Sequence, residues 1–255
     1  MNRTPRKQSK HSWEVRLGLA ALVILFVGSI AAILLNYYRS ASAPTAPQPK
    51  ALPHITNKEI THGDRSKRQV IFTFDAGDAS TSAETILSVL AKHHVIGTFF
   101  MTGKFIQANP SFVREAAAAG AEIFSHTYDH PHLPTLSDAD IALEFTKTES
   151  LLQSVADISP KPFFRAPYGD RDSRVLADAY AAGYESIYWT VDALDWEERQ
   201  GETDAGVTSR IMDSLAPGNI YLMHVGDGIT GRILDGVFTA VEAKGYRIVS
   251  LTQGI

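Results

Sequence analysis

The chain is 255 residues long, with 44% apolar residues, 20% charged residues and a formal net charge of −4. This composition is ordinary for a globular protein of one or two domains and excludes a chain that is disordered throughout. The absence of cysteine excludes disulfides, thiolate metal sites, a cysteine nucleophile and a lipoprotein-type anchor.

The first predicted element is a transmembrane signal anchor at residues 17–36. It contains an uncharged run of 19 residues, LGLAALVILFVGSIAAILL, which is long enough to cross a hydrocarbon core of about 30 Å. Basic residues are more frequent before this run than after it: Arg3, Arg6, Lys7, Lys10 and Arg16 precede it, and Arg39 and Lys50 follow. This bias predicts a short cytoplasmic segment at 1–16 and an extracytoplasmic location for the rest of a single-pass membrane protein.

Two alternatives to an uncleaved anchor are open. The sequence ASA at 41–43 resembles a signal-peptidase site, but Pro44 follows it and the apolar run is long for a signal peptide. A buried helix of a soluble protein is disfavoured by the flanking charges. We favour an uncleaved anchor followed by a linker at 37–66, which includes the proline-rich stretch SASAPTAPQPKALP.

The remaining residues, 67–255, are predicted to form one α/β domain. Strands are predicted at 69–74, 97–101, 121–126, 163–167, 185–191, 219–225 and 246–251, with helices at 82–94, 110–120, 137–156, 174–183, 205–215 and 233–245. This alternation predicts a mainly parallel sheet of about seven strands, either open and doubly wound or closed as a (β/α) barrel. Beyond the anchor, 19 Lys and Arg oppose 27 Asp and Glu, and this acidic balance argues against a nucleic-acid partner.

Polar clusters follow five of the predicted strands, where the functional groups of parallel α/β proteins lie. They are TFDAGD at 73–78, SHTYDH at 125–130, RAPYGD at 165–170, VDALDW at 191–196 and LMH at 222–224. His126 and His130 are four residues apart, a spacing that can place two imidazoles on one side of a turn for a transition metal. Two surface histidines would be the alternative, but the position after a strand favours the metal site.

These clusters, in this order and spacing, resemble the polysaccharide deacetylases of the NodB-homology type, carbohydrate esterase family 4. The resemblance rests on TFD-x-G, SH-T-x-x-H, R-x-PY, D-x-x-DW and L-x-H and covers residues 69–251. It implies a distorted (β/α) barrel with about seven parallel strands. It also implies metal-dependent hydrolysis of an N-acetyl, sometimes O-acetyl, group on a sugar polymer.

The resemblance also implies a role for each matched residue. His126 and His130 would hold a divalent metal ion, usually zinc. Asp75 would be the catalytic base and His224 the general acid. The residues implied to support them are Arg165 beside Asp75, Asp195 beside His224, the backbone N–H of Tyr168 at the oxyanion, and Trp196 and Leu222 as walls of the acetyl pocket.

The sequence departs from the family pattern at Ala76, where the family usually has the aspartate that supplies a third metal ligand. A methyl group cannot coordinate a metal ion. Asp78 could act as the substitute ligand, the two histidines and water could suffice, or the protein could bind glycan without catalysis. The presence of base, acid and both supporting residues favours an active enzyme with Asp78 as a tentative ligand.

The sequence therefore predicts a membrane-anchored deacetylase that acts outside the cytoplasm on an acetylated glycan polymer. The anchor favours a substrate close to the membrane, and peptidoglycan amino sugars fit best. The alternative from a different class is a non-catalytic glycan-binding module that has lost its metal because of Ala76.

Overall fold

The computed structural model describes residues 59–77 and 79–255. The predicted anchor, the predicted cytoplasmic segment, most of the predicted linker and Asp78 lie outside the described residues. In the described part of the chain, no helix has the length and apolar character needed to cross a membrane.

The described residues contain eight strands in one sheet, and every pair in it is parallel. The strands are β1 (Gln69–Ala76), β2 (Thr98–Met101), β3 (Glu122–Ser125), β4 (Phe163–Phe164), β5 (Glu185–Ser186), β6 (Val191–Asp192), β7 (Ile220–His224) and β8 (Arg247–Val249). Their order is β5-β4-β3-β2-β1-β7-β6, and β8 pairs with the beginning of β1. This parallel half-barrel confirms the predicted α/β class and is consistent with the predicted barrel.

The single strand predicted at 185–191 is instead two short strands at opposite edges of the sheet. Strand β5 pairs with β4, whereas β6 pairs with β7. Because β5 and β6 follow each other in the chain, residues 187–190 must cross from one edge to the other. The sheet is therefore curved, which brings its carboxyl ends around a common cleft.

Helices connect the strands, as the alternation predicted. In the described residues they are α1 (Ala83–Lys92), α2 (Gly103–Ala108), α3 (Pro110–Ala118), α4 (Asp138–Ala156), α5 (Ser173–Ala181), α6 (Asp204–Asp213), α7 (Gly228–Ala243) and α8 (Leu251–Gly254). The side chain of Ser137 accepts a hydrogen bond from Asp140 N at the start of α4, so Ser137 is the N-cap of this helix.

Strand β1 separates the core from the cleft by the alternation of its side chains. Val70, Phe72, Phe74 and Ala76 belong to the large apolar cluster that includes residues of α1, α3 and α7. Asp75, on the other face, is buried and lines the cleft. The period of two therefore directs the acid at the end of the strand toward the site and the alanine toward the core.

Residues 59–66 pack on the domain, although the sequence predicts a linker at 37–66. Ile60 N donates to Ser186 O at 2.9 Å, and Tyr188 N donates to Ile60 O at 2.8 Å. The carboxylate of Glu59 is paired with Arg171 at 2.6 Å. This backbone pairing and ion pair extend the folded domain upstream of residue 67.

Candidate active site

A cleft of about 680 Å³ lies at the carboxyl ends of the strands. Seven of the predicted site residues line it: Asp75, His126, His130, Tyr168, Trp196, Leu222 and His224. Two further predicted residues, Arg165 and Asp195, are fully buried behind it. The parallel sheet thus brings together residues that are up to about 150 positions apart in the sequence.

Asp75 and Arg165 form a buried ion pair at the ends of β1 and β4. Arg165 Nη1 lies 2.6 Å from Asp75 Oδ1 and 2.8 Å from Thr73 Oγ1. The guanidinium also packs on the ring of Phe100, 4.2 Å from its centroid. Burial would raise the pKa of Asp75, but Arg165 and the imidazoles of His126 and His224 hold it below its ordinary value. Asp75 is therefore an ionised carboxylate, as a base must be.

His224 and Asp195 form the second pair of the site. Asp195 Oδ1 lies 2.9 Å from His224 Nδ1, and Asp195 Oδ2 accepts a hydrogen bond from His224 N at 2.7 Å. The hydroxyl of Thr230 donates to the same Oδ2 atom. Burial would lower the pKa of His224, but the adjacent Asp195 carboxylate raises it to about 9. His224 is therefore a cation at neutral pH and can donate a proton.

His126 and His130 face each other in the turn after β3. Their Nε2 atoms are 3.2 Å apart, and His126 Nδ1 lies 2.8 Å from the carbonyl oxygen of Arg165. Donation from Nδ1 to that carbonyl leaves a lone pair on His126 Nε2. Burial lowers the pKa of both histidines, to about 4 for His130, whose pKa is lowered further by His126. Both rings are therefore neutral near pH 7.

Two neutral imidazoles with converging Nε2 atoms fit zinc or a similar divalent ion, because imidazole is a preferred ligand of these metals. The carbonyl that orients His126 is the kind of outer partner that metal-binding histidines have. Asp75 Oδ2 is 3.5 Å from His126 Nε2. Across residues 59–77 and 79–255, however, no group of three or more His, Cys, Asp or Glu side chains is arranged to hold a metal ion. The tentative ligand Asp78 lies outside this range.

The other predicted residues form the walls of the cleft. Tyr168 has a left-handed backbone conformation, and its side chain is exposed and stacks on His132 with ring centroids 4.2 Å apart. Trp196 is 42% exposed, whereas Leu222 is buried in β7. The exposed aromatic rings at the rim offer flat apolar faces to a ligand.

Asp192, which lines the cleft at the end of β6, is not among the predicted site residues. Asp192 Oδ1 accepts hydrogen bonds from Leu194 N at 2.9 Å and from Trp196 Nε1 at 3.3 Å. Burial raises the pKa of its carboxyl group. The signal was present, since Asp192 is the first acid of the D-x-x-DW motif. Asp192 orients the indole of Trp196 at the rim.

Comparisons with known proteins agree with this geometry. The sequence profile of the family described as polysaccharide deacetylase matches residues 62–187. A peptidoglycan-N-acetylglucosamine deacetylase of Bacillus cereus is 32% identical over 193 residues, which cover 74% of this chain and 69% of the relative. The chain belongs to the polysaccharide deacetylase family. This confirms the resemblance and the predicted enzyme class, a hydrolase of amide bonds.

Two further relatives show the breadth of the family. A chitooligosaccharide deacetylase of Bradyrhizobium is 31% identical over 207 residues, covering 75% of this chain and 93% of the relative. The structure of a carbohydrate esterase family 4 pseudoenzyme from Bacillus anthracis matches with a TM-score of 0.73 and 28% identity, covering 78% of this chain and 69% of that chain. A mutant of that pseudoenzyme has restored enzymatic activity.

Proposed function

We propose that this protein is a metal-dependent deacetylase that removes N-acetyl groups from peptidoglycan amino sugars outside the cytoplasm. The observation that carries the proposal is that a carboxylate and a protonated imidazole lie in one cleft. Arg165 keeps the carboxylate of Asp75 ionised, and Asp195 keeps the imidazole of His224 protonated. Two groups whose pKa values are moved apart in this way are suited to be base and acid in one reaction.

The base and acid account for the proton transfers of amide hydrolysis. Asp75 takes a proton from the attacking water, and the water oxygen forms a bond to the acetyl carbon. His224 donates its proton to the amide nitrogen as the carbon–nitrogen bond breaks. The products are acetate and a free amine on the sugar.

The metal would be held by His126 and His130. A bound divalent cation supplies a Lewis acid that polarises the acetyl carbonyl and lowers the pKa of water. The Tyr168 backbone is proposed to help bind the oxyanion, and Trp196 and Leu222 to enclose the acetyl methyl. Asp78 is the candidate for a third ligand.

The proposed substrate is supported by a relative, and the proposed location by the N-terminal sequence. The Bacillus cereus relative is named for its action on N-acetylglucosamine in peptidoglycan. The sequence supports membrane anchoring through residues 17–36, because the apolar run and its basic N-terminal flank have the pattern of a signal anchor. An enzyme tethered in this way would act on polymer close to the membrane.

Acetate release tests the proposal. The purified protein, stripped with a chelator, should release no acetate from peptidoglycan or N-acetylglucosamine oligomers until Zn²⁺ is added. His126→Ala should bind no Zn²⁺, and Asp78→Ala should lose Zn²⁺ and activity together if Asp78 is a ligand. A wild-type protein that binds oligomers but releases no acetate with any divalent metal would support the glycan-binding alternative.

A further inference from the structure

We propose that Glu144 is a positioning residue that fixes the turn 126–130 and so holds the two imidazoles in the arrangement that a divalent cation needs. Glu144 lies on α4, outside the polar clusters at the strand ends, and its side chain is buried. The inference rests on the proposed metal dependence but concerns a residue that no motif of the sequence includes.

The turn between the two histidines has an unfavourable backbone. Thr127 and His130 both have positive φ angles, 65° and 62°, a region that residues other than glycine rarely adopt. Such a conformation persists only where the surrounding structure determines it. The turn therefore needs partners that hold its peptide groups in place.

Glu144, which lies on α4, accepts hydrogen bonds from two successive N–H groups of the turn. Its Oε2 atom accepts hydrogen bonds from Tyr128 N and Asp129 N, both at 2.8 Å. The neighbouring N–H groups donate to hydroxyls of the turn and its strand, Thr127 N to Ser125 Oγ at 3.2 Å and His130 N to Thr127 Oγ1 at 3.3 Å. The shorter bonds are those to Glu144, which is the acceptor on another element.

The carbonyl oxygens of the same peptide groups accept hydrogen bonds from the beginning of α2. Gly103 N donates to Thr127 O at 3.0 Å, and Lys104 N donates to Tyr128 O at 3.1 Å. A Cβ atom on Gly103 would lie 2.0 Å from the ring of Tyr128, so this close approach requires glycine. The turn is thus clamped between α2 and Glu144, and its ends are the two histidines.

The geometry gives a distinct expectation for each substitution of Glu144. Leucine removes the acceptor and leaves two N–H groups without it, so the turn should open. Glutamine keeps an oxygen that can accept both hydrogen bonds but removes the charge. Glu149→Leu is the matched control, because Glu149 lies on the same helix and pairs with Lys161 at 3.1 Å instead of the turn.

The first readout needs no metal. In metal-free protein, amide exchange at Tyr128 and Asp129 should be about 10-fold faster or more in Glu144→Leu, and the ring ¹⁵N shifts of His126 and His130 should change. Glu144→Gln and Glu149→Leu should resemble wild type. If Glu144→Leu does not fold, Glu144→Asp, whose shorter side chain retracts the oxygen, should show the same changes.

The second readout is binding of Zn²⁺ alone, measured by competition, with Co²⁺ as the spectroscopic probe. Affinity should fall about 10- to 100-fold in Glu144→Leu, as for other residues behind a metal ligand, and change little in Glu144→Gln. The proposal would be overturned if Glu144→Leu had the same amide exchange, ring ¹⁵N shifts and Zn²⁺ affinity as wild type. An equal loss in Glu144→Gln would also overturn it, because charge would then be the cause. If wild type binds no metal, the proposed function fails, and the metal-free readout still decides the role of Glu144.

Discussion

Asp195→Asn should lower the pKa of His224 from about 9 to near its ordinary value of 6.5, because Asp75 and Asp227 still oppose the effect of burial. The Asp195 carboxylate contacts both Nδ1 and the backbone N–H of His224, and it is the main group that raises this pKa. Asparagine keeps the shape and one acceptor but removes the charge, while the burial that lowers the pKa remains. A pKa that falls from about 9 to near 6.5 corresponds to roughly 3 kcal/mol of lost interaction between the Asp195 carboxylate and the protonated imidazole.

The pKa can be measured by NMR titration of the His224 ring in metal-free protein. Turnover gives a second measure, because a general acid must be protonated to act. At pH 8, wild-type His224 should be about nine-tenths protonated and the variant only a few per cent, so turnover should fall by about 30-fold. Thr230→Val is the control, since it removes a hydrogen bond to Asp195 but leaves the charge. A wild-type pKa near 6.5, or an unchanged pKa in Asp195→Asn, would refute the reasoning.

The same pKa predicts the direction of the stability change with pH. Because the pKa of His224 is raised in the folded state, its protonated imidazole stabilises the fold. This contribution is fully present below about pH 6.5 and is lost as the pH rises through about 9. The free energies of unfolding of wild type and Asp195→Asn should therefore differ most below pH 6.5 and least above pH 9. Urea unfolding across this range measures both.

The remaining predictions concern the base, the N-terminal part of the chain and Ala76. Asp75→Asn should lower acetate release by about 10²-fold or more without loss of bound metal; a fully active variant would exclude Asp75 as the base. The full-length protein should sediment with membranes and stay there in high salt, and release by salt alone would contradict the anchor. A chain that begins at Lys50 should fold, whereas one that begins at residue 67 should melt at a lower temperature, because it lacks the pairing of Glu59 and Ile60; equal melting temperatures would contradict this. Ala76→Asp should lower the melting temperature of metal-free protein, since it places a carboxylate in an apolar cluster, and an unchanged melting temperature would show that position 76 is not confined to the core.

The residues at the strand ends could be predicted from the sequence for a physical reason. Parallel strands place their carboxyl ends at one rim, so Asp75 near the end of β1 and His224 at the end of β7 must lie near each other. Their register makes them direct neighbours across the two strands. The assignment of base and acid needed the resemblance as well, because strand position alone does not distinguish a proton acceptor from a donor.

The parts that could not be predicted depend on long-range pairing. The run ESIYWTV has the composition of one strand, and nothing in it shows that its two ends pair with different neighbours, β4 and β7. Residues 59–66 have too few apolar side chains to indicate a strand, and Ile60 is placed by hydrogen bonds to residues more than 120 positions away. Glu144 is different. It lies among Ile141, Phe145 and Thr148 on the buried side of α4, and an acid within an apolar stripe is a local signal that could have been used.

The packing of Ala76 bears on the missing third metal ligand. Asp75 and Gly77 line the cleft, but Ala76 between them does not, and its methyl group belongs to the apolar cluster on the other face of β1. The alternation of side chains along a strand places the Ala76 methyl on the face opposite to Asp75, so a carboxylate at position 76 would have to turn toward the histidines to supply the ligand that the family pattern has there. Ala76 O accepts a hydrogen bond from Thr102 N at 3.0 Å, and Asp75 O accepts one from Val225 N at 2.9 Å, so the backbone at this end of the strand is paired on both sides. Because the methyl group of Ala76 packs in the core behind Asp75 and has no atom that can bind a metal ion, any third ligand must come from a residue other than 76.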